Sequence, residues 1–133
     1  MKNIFAKNIS ATVMFFLALV TAWQTNAKDI SQNQLQEIMK SNKQMILLDV
    51  RTTSEFEDAH IPNAINISHN ELSKRLAELS GAENTQIIIY CRSGVRAGIA
   101  KRILAANGFS KLDHLAGDFN KWDSNNLPIL TGK

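Results

Sequence analysis

Residues 86–90 read Gln-Ile-Ile-Ile-Tyr. A strand sends successive side chains to opposite faces, so three isoleucines in a row make both faces apolar. Such a strand belongs inside a sheet covered by helices on both sides, the setting of a parallel sheet. The flanking chain reads as that cover. Ser31 with Gln34 three residues on forms a capping-box pattern, and Leu35, Ile38 and Met39 then predict a helical stripe. Met45–Val50 is a short apolar run that predicts a buried strand. A short helix capped by a Thr or Ser is expected over Thr52–Ala59, a turn at Pro62, and a strand over Ala64–Ile67. Asn70–Leu79 is expected as an amphipathic helix with Leu72, Leu76 and Leu79 on one face. After the isoleucine strand, a helix begins at Val95 with Val95, Ile99, Ile103 and Leu104 inward and ends at Asn107-Gly108. A last strand in 111–117 and a last helix anchored by Phe119 and Trp122 complete the pattern. Strand and helix alternate with short connections, which predicts a three-layer α/β domain with a mainly parallel central sheet.

The first 27 residues stand apart from this pattern. Lys2 and Lys7 precede the uncharged, largely apolar run Ala11–Trp23, and Thr25-Asn26-Ala27 follows with small residues at the positions a signal peptidase reads. The arrangement is that of a secretory signal peptide. The alternative is a membrane anchor, but a spanning helix needs about 20 apolar residues and this run is shorter. The expected organisation is a cleaved signal peptide over 1–27 and one exported domain over 28–133. Loss of Lys2 and Lys7 takes the formal charge from +3 to +1, and no Lys/Arg run suggests a nucleic-acid partner.

One cysteine, Cys91, ends the isoleucine strand. In an exported protein an odd cysteine is an intermolecular link, a reactive thiol, or a buried residue packing as a small hydrophobe. Its position favours reactivity. Ligands of open α/β sheets bind beyond the carboxyl ends of the strands. The helix N-terminus that follows presents unpaired N–H groups and a partial positive charge, which favour an anion and stabilise the nucleophilic thiolate. Arg92 and Arg96 add positive side chains, and Gly94 permits the bend. The N–H groups of Arg92, Ser93, Gly94, Val95 and Arg96 then form an anion nest. The Ser93 hydroxyl can donate into it or serve as an ordinary helix cap.

Read together, "LLDVRTTSEFEDAHIPNAINIS", "IIIYCRSGVRAGIAKRILAANGF" and "LAGDFNKW" resemble a rhodanese domain over nearly all of the mature chain, from about Ile30 to Pro128, and the chain is similar to single-domain rhodaneses exported to the bacterial periplasm. The resemblance implies a sulfurtransferase. Cys91 would take a sulfane sulfur from a small anionic donor such as thiosulfate, hold it as a persulfide, and pass it to a thiol or cyanide acceptor; a protein acceptor is possible and no cofactor is needed. Four residues separate Cys91 from Arg96. Rhodanese-fold phosphatases and arsenate reductases have one more, so their chemistry ranks below sulfur transfer. A sulfur carrier or binding module with little thiosulfate turnover is the other reading. The chain departs from the family pattern at Ala59 and Asn63, where glycine is frequent, and at Ala116-Gly117, where Gly-Gly is frequent.

Arg51 is expected to pair with Asp49 or Glu55 more than to bind substrate. The resemblance makes His60 a turn-stabilising residue and not a general base. His69 and His114 stand isolated, and no metal-ligand spacing, P-loop or dinucleotide fingerprint is present.

Overall fold

A computed structural model of the chain describes residues 29–133; the expected signal peptide lies outside the described residues. No helix among the described residues is long and apolar enough to cross a membrane. Five strands, β1 (Asp29–Ile30), β2 (Met45–Asp49), β3 (Ala64–Asn66), β4 (Gln86–Tyr90) and β5 (Leu112–Leu115), form one sheet in the order β1-β5-β4-β2-β3. Every pairing is parallel. Four helices accompany them: α1 (Gln32–Lys40), α2 (Thr53–Asp58), α3 (Val95–Ala106) and α4 (Asp118–Ser124).

The central place of β4 follows from its sequence. Ile87 and Ile89 point into one apolar layer with Leu48, Ala97, Ala100 and Leu104. Ile88 and Tyr90 point into the other with Leu35, Leu47, Ile61 and Trp122. All four β4 residues are fully buried, and each large aliphatic side chain so buried contributes about 1.5–3 kcal/mol. Cys91 continues the alternation and joins the α3 side.

Both early helices start on capping boxes. Ser31 Oγ accepts the Gln34 N–H at 3.1 Å while Gln34 Oε1 accepts the Ser31 N–H at 2.9 Å. Thr52 and Glu55 make the same exchange at 3.2 and 3.0 Å, which sets Glu55 in the first turn of α2.

Two expectations are corrected, and one strand is added. Asn70–Leu79 is not an α-helix but two 3₁₀ turns, Leu72–Lys74 and Leu76–Leu79, separated at Arg75. Leu72 and Leu79 are still the buried anchors. A 3₁₀ path rises about 2.0 Å per residue against 1.5 Å in an α-helix, so these two leucines cover more of the layer beneath them. Arg75 braces the break by gripping Glu78 at 2.6 and 2.9 Å. In α3, Leu104 is buried and Ile103 packs against the core as expected, but Ala97 and Ala100 complete the inward face and Val95 is 75% exposed. Small residues let the helix approach the sheet closely. Finally, β1 was not foreseen; it is only two residues long and pairs with β5 at the sheet edge.

Candidate active site

Cys91 follows the last residue of β4 directly, and its loop is fastened at both ends. The Cys91 N–H donates to Asp118 Oδ1 at 2.9 Å. The Cys91 and Arg92 carbonyls accept N–H groups of Phe119 and Asn120 at 3.0 and 3.2 Å, so the first residues of α4 hold the start of the loop. At the other end the Gly94 carbonyl accepts the Gly98 N–H at 3.0 Å and α3 begins. Gly94 is its N-cap, with no side-chain cap bond, so Ser93 does not serve as the cap and stands exposed. Gly94 has φ 113°, and a Cβ there would lie 3.3 Å from Asp118 Oδ2. The position therefore needs glycine for both backbone and space. Its N–H points at Cys91 Sγ from 3.0 Å. Cys91 is 1% exposed, with its sulfur at the floor of the loop.

Arg96, one of the two arginines expected to add positive charge to the anion nest, closes on Glu55. Its two terminal nitrogens donate to Glu55 Oε2 and Oε1 at 2.6 and 2.9 Å, a bidentate pair. Arg92 is mostly exposed and approaches the same carboxylate at 3.9 Å. The Arg96 hydrogen bonds hold the Glu55 carboxyl down at about 2, with the Thr52 bonds assisting and burial opposing. This depressed value makes the pair's stabilisation complete above the ordinary carboxyl range near 4.5 and lost as pH falls towards 2. We expect Glu55→Gln, which keeps the capping box, to free Arg96 and tighten binding of a small anion at the loop by about three- to tenfold. Titration with a small divalent anion checks this; an unchanged Kd would mean that Arg96 takes no part in anion binding.

Asp49 and Arg51, at the end of β2, form a buried pair. The Arg51 Nε and Nη2 donate to the Asp49 carboxylate at 3.1 and 2.6 Å, and Nη2 also donates to the Ala59 carbonyl at 2.7 Å. The guanidinium lies 4.0 Å from the Phe119 ring centroid and 5.6 Å from that of Tyr90. Of the two expected partners it takes Asp49, and it binds β2, the Ala59 turn and α4 into one frame. Tyr90 donates nothing to solvent here; its hydroxyl accepts the Ile61 N–H at 3.2 Å, and burial drives its acidity well below that of a free phenol. His60 stacks on Phe56 at 3.7 Å with Nδ1 2.8 Å from the Phe56 carbonyl, a turn-holding geometry.

Two site residues escaped sequence reasoning. His114, read as isolated, lies 3.0 Å from both Asp118 carboxylate oxygens. Asp118 is the first residue of α4. The successive left-handed residues are Gly117 (φ 82°) and Asp118 (φ 53°), so the departure from a Gly-Gly pair falls at Asp118 and not at Ala116. Asn63, at φ 66°, likewise adopts a conformation that glycine favours, and the turn is kept because asparagine tolerates it. The available signal for Asp118 was an acidic residue directly after the glycine of the last turn.

The match to known proteins agrees with this geometry. A family model described as a rhodanese-like domain matches residues 31–125. The chain belongs to the rhodanese family. A candidate sulfur carrier protein of Bacillus subtilis (strain 168), YrkF, is 35% identical over 94 residues, covering 71% of this chain and 50% of that protein. The rhodanese chain thus spans half the length of that relative. The thiosulfate:glutathione sulfurtransferase of Saccharomyces cerevisiae is 27% identical, covering 80% of this chain and 92% of the yeast protein. Among solved structures, the thiosulfate sulfurtransferase of Pseudomonas aeruginosa superposes with a TM-score of 0.72 at 21% identity, over 79% of this chain and 20% of that one, which shows the shared fold.

Proposed function

We propose that this rhodanese is a sulfurtransferase in which Cys91 carries the sulfur. The observation behind this reading is the Gly94 N–H aimed at Cys91 Sγ from 3.0 Å, at the mouth of a helix and beyond the end of the central strand. With thiosulfate, the Cys91 thiolate attacks the outer sulfur, the S–S bond breaks, and sulfite leaves with the bonding electrons. The product is a Cys91 persulfide, whose negative outer sulfur is the kind of group that a nest of N–H donors stabilises. An acceptor thiolate or cyanide then attacks that outer sulfur and Cys91 departs as thiolate. All the electrons stay on sulfur and the acceptor, so no cofactor enters. Intact mass after thiosulfate treatment tests the reading: one added sulfur, removed by cyanide, is expected, and no mass gain on Cys91 with any sulfane donor would end it.

A specific observation favours a second reading. Glu55 occupies Arg96 and lies near Arg92, which leaves less positive charge for a dianion at the mouth. A carrier that receives sulfur from a protein partner needs less. Efficient steady-state thiosulfate:cyanide turnover supports the enzyme; a persulfide that forms without such turnover supports the carrier.

The domain is further proposed to act in the periplasm after removal of residues 1–27. The basis is the charged start, short apolar run and Thr25-Asn26-Ala27 of the sequence. The exported protein is expected to begin at Lys28 on N-terminal sequencing; retention of Met1 in membrane-bound material would overturn the proposal.

A further inference from the structure

Behind the Cys loop stand two residues that the sulfur-transfer steps above leave idle. Asp118 is 2% exposed and holds φ 53°, a conformation that is costly for a residue with a side chain and would be free for glycine. Its carboxylate has two partners. Oδ1 accepts the Cys91 N–H at 2.9 Å, and both oxygens lie 3.0 Å from His114 Nε2. On the far side of the ring, His114 Nδ1 is 3.2 Å from Asp29 Oδ1 of β1. A neutral imidazole has one N–H and one lone pair. Both nitrogens here face carboxylate oxygens, so only the doubly protonated ring donates at each.

The charged groups acting on the ring are Asp118 and Asp29; the Asp118 hydrogen bond is foremost in holding the imidazole's pKa above its ordinary value, with burial opposing. The Cys loop meets the pair through Gly94. A Cβ on Gly94 would lie 3.3 Å from Asp118 Oδ2 and 3.8 Å from two His114 ring atoms. Gly94 is also the residue whose N–H points at the sulfur. The pair thus holds the Cys91 N–H and lies close beside the Gly94 bend, where a side chain would crowd it.

We propose that His114 and Asp118 are positioning residues for Cys91, and that the proton on His114 sets the electrostatic field in which the sulfur meets an anion. With the ring charged, Asp29, His114 and Asp118 together carry one net negative charge; with the ring neutral they carry two. The second charge faces the loop that must admit an anionic donor, so transfer from such donors declines as His114 deprotonates. The purpose of the device rests on the sulfur-transfer reading, but the field exists whether or not thiosulfate is the donor. Because the folded value is raised, the ion pair's stabilisation is complete below the ordinary imidazole value near 6.5 and fades as pH rises through the folded one.

The test compares alkylation of Cys91 by iodoacetate, an anion, and iodoacetamide, a neutral analogue, from pH 6 to 10 on the folded protein. Both reagents consume thiolate, so the ratio of their rates cancels the thiolate fraction and reports the field at the sulfur. In the wild type the ratio is expected to fall by about fivefold as pH rises, the order for one unit charge acting through a partly aqueous medium. His114→Gln should abolish the step, and Asp118→Asn, which tolerates the left-handed backbone, should move it to lower pH. A flat wild-type ratio, or an equal step in His114→Gln, would overturn the proposal. Should the variants not fold, the wild-type step must share its midpoint with the His114 ring titration followed by NMR; different midpoints would overturn it as well. None of these readings depends on thiosulfate, so a failure of sulfur transfer shows separately as an absent persulfide.

Discussion

Cys91→Ser is expected to fold as the wild type does and to transfer no sulfur. The residue is buried at the end of β4, and oxygen for sulfur removes little volume. The Gly94 N–H that reaches Sγ would meet a hydroxyl in its place, so the loop keeps an acceptor at its floor. Reactivity does not survive the exchange. A hydroxyl is almost wholly protonated at neutral pH and has no sulfur with which to form a persulfide. Loss by a factor of at least about 10³ in thiosulfate:cyanide turnover is therefore expected, with an unchanged unfolding transition. Residual turnover above that level would assign the sulfur to some other group, and the chain has no other cysteine.

The largest loss of stability is expected from Arg51→Ala. The Asp49 carboxylate is fully buried and its charge is answered by the Arg51 side chain and backbone N–H. Removing the guanidinium leaves an uncompensated buried charge, deprives the Ala59 carbonyl of its donor, and empties the space against Phe119. Such truncations cost about 3–5 kcal/mol. A matching Asp49→Asn, Arg51→Met double variant should recover part of that cost, because a pair of neutral side chains carries no desolvated charge. Denaturant unfolding measures both. A change of under about 1 kcal/mol for Arg51→Ala would show that water reaches Asp49 and that the pair is not the frame described above.

Much of the fold could be read from local chemistry because the deciding residues are neighbours in sequence. The isoleucines of β4 reveal two buried faces without help from the rest of the chain. Ser31 with Gln34 and Thr52 with Glu55 mark helix starts within four residues. The 3₁₀ turns were illegible since Leu72 and Leu79 satisfy an α-helical stripe equally well, and only the layer they cover selects the longer path. Strand β1 is too short to show a period. Val95 begins an apolar pattern, yet at the first position of α3 it stays exposed. In the site, the residues of the Cys91 loop are contiguous, so their pattern can be read from the sequence. Glu55 and Arg96 are 41 residues apart, and Cys91 and Asp118 27 apart, so those contacts arise only when the parallel strands bring their ends together. The left-handed backbone of Asp118 leaves no trace in composition.

The alternation of β4 has a consequence for how such a site can change. Ile87, Ile89 and Cys91 share one side of the sheet, and Ile88 and Tyr90 share the other. The side on which the thiol appears is thus a matter of counting, odd or even, along the strand. One residue inserted or deleted between Ile87 and Cys91 would exchange the two cores and carry the sulfur to the layer of Trp122, away from the helix that receives it. Changes of two residues would preserve the side and alter only the reach. The protein's chemistry can therefore drift freely in the loop after Cys91, where length is tuned one residue at a time, while the strand before it is held to even steps.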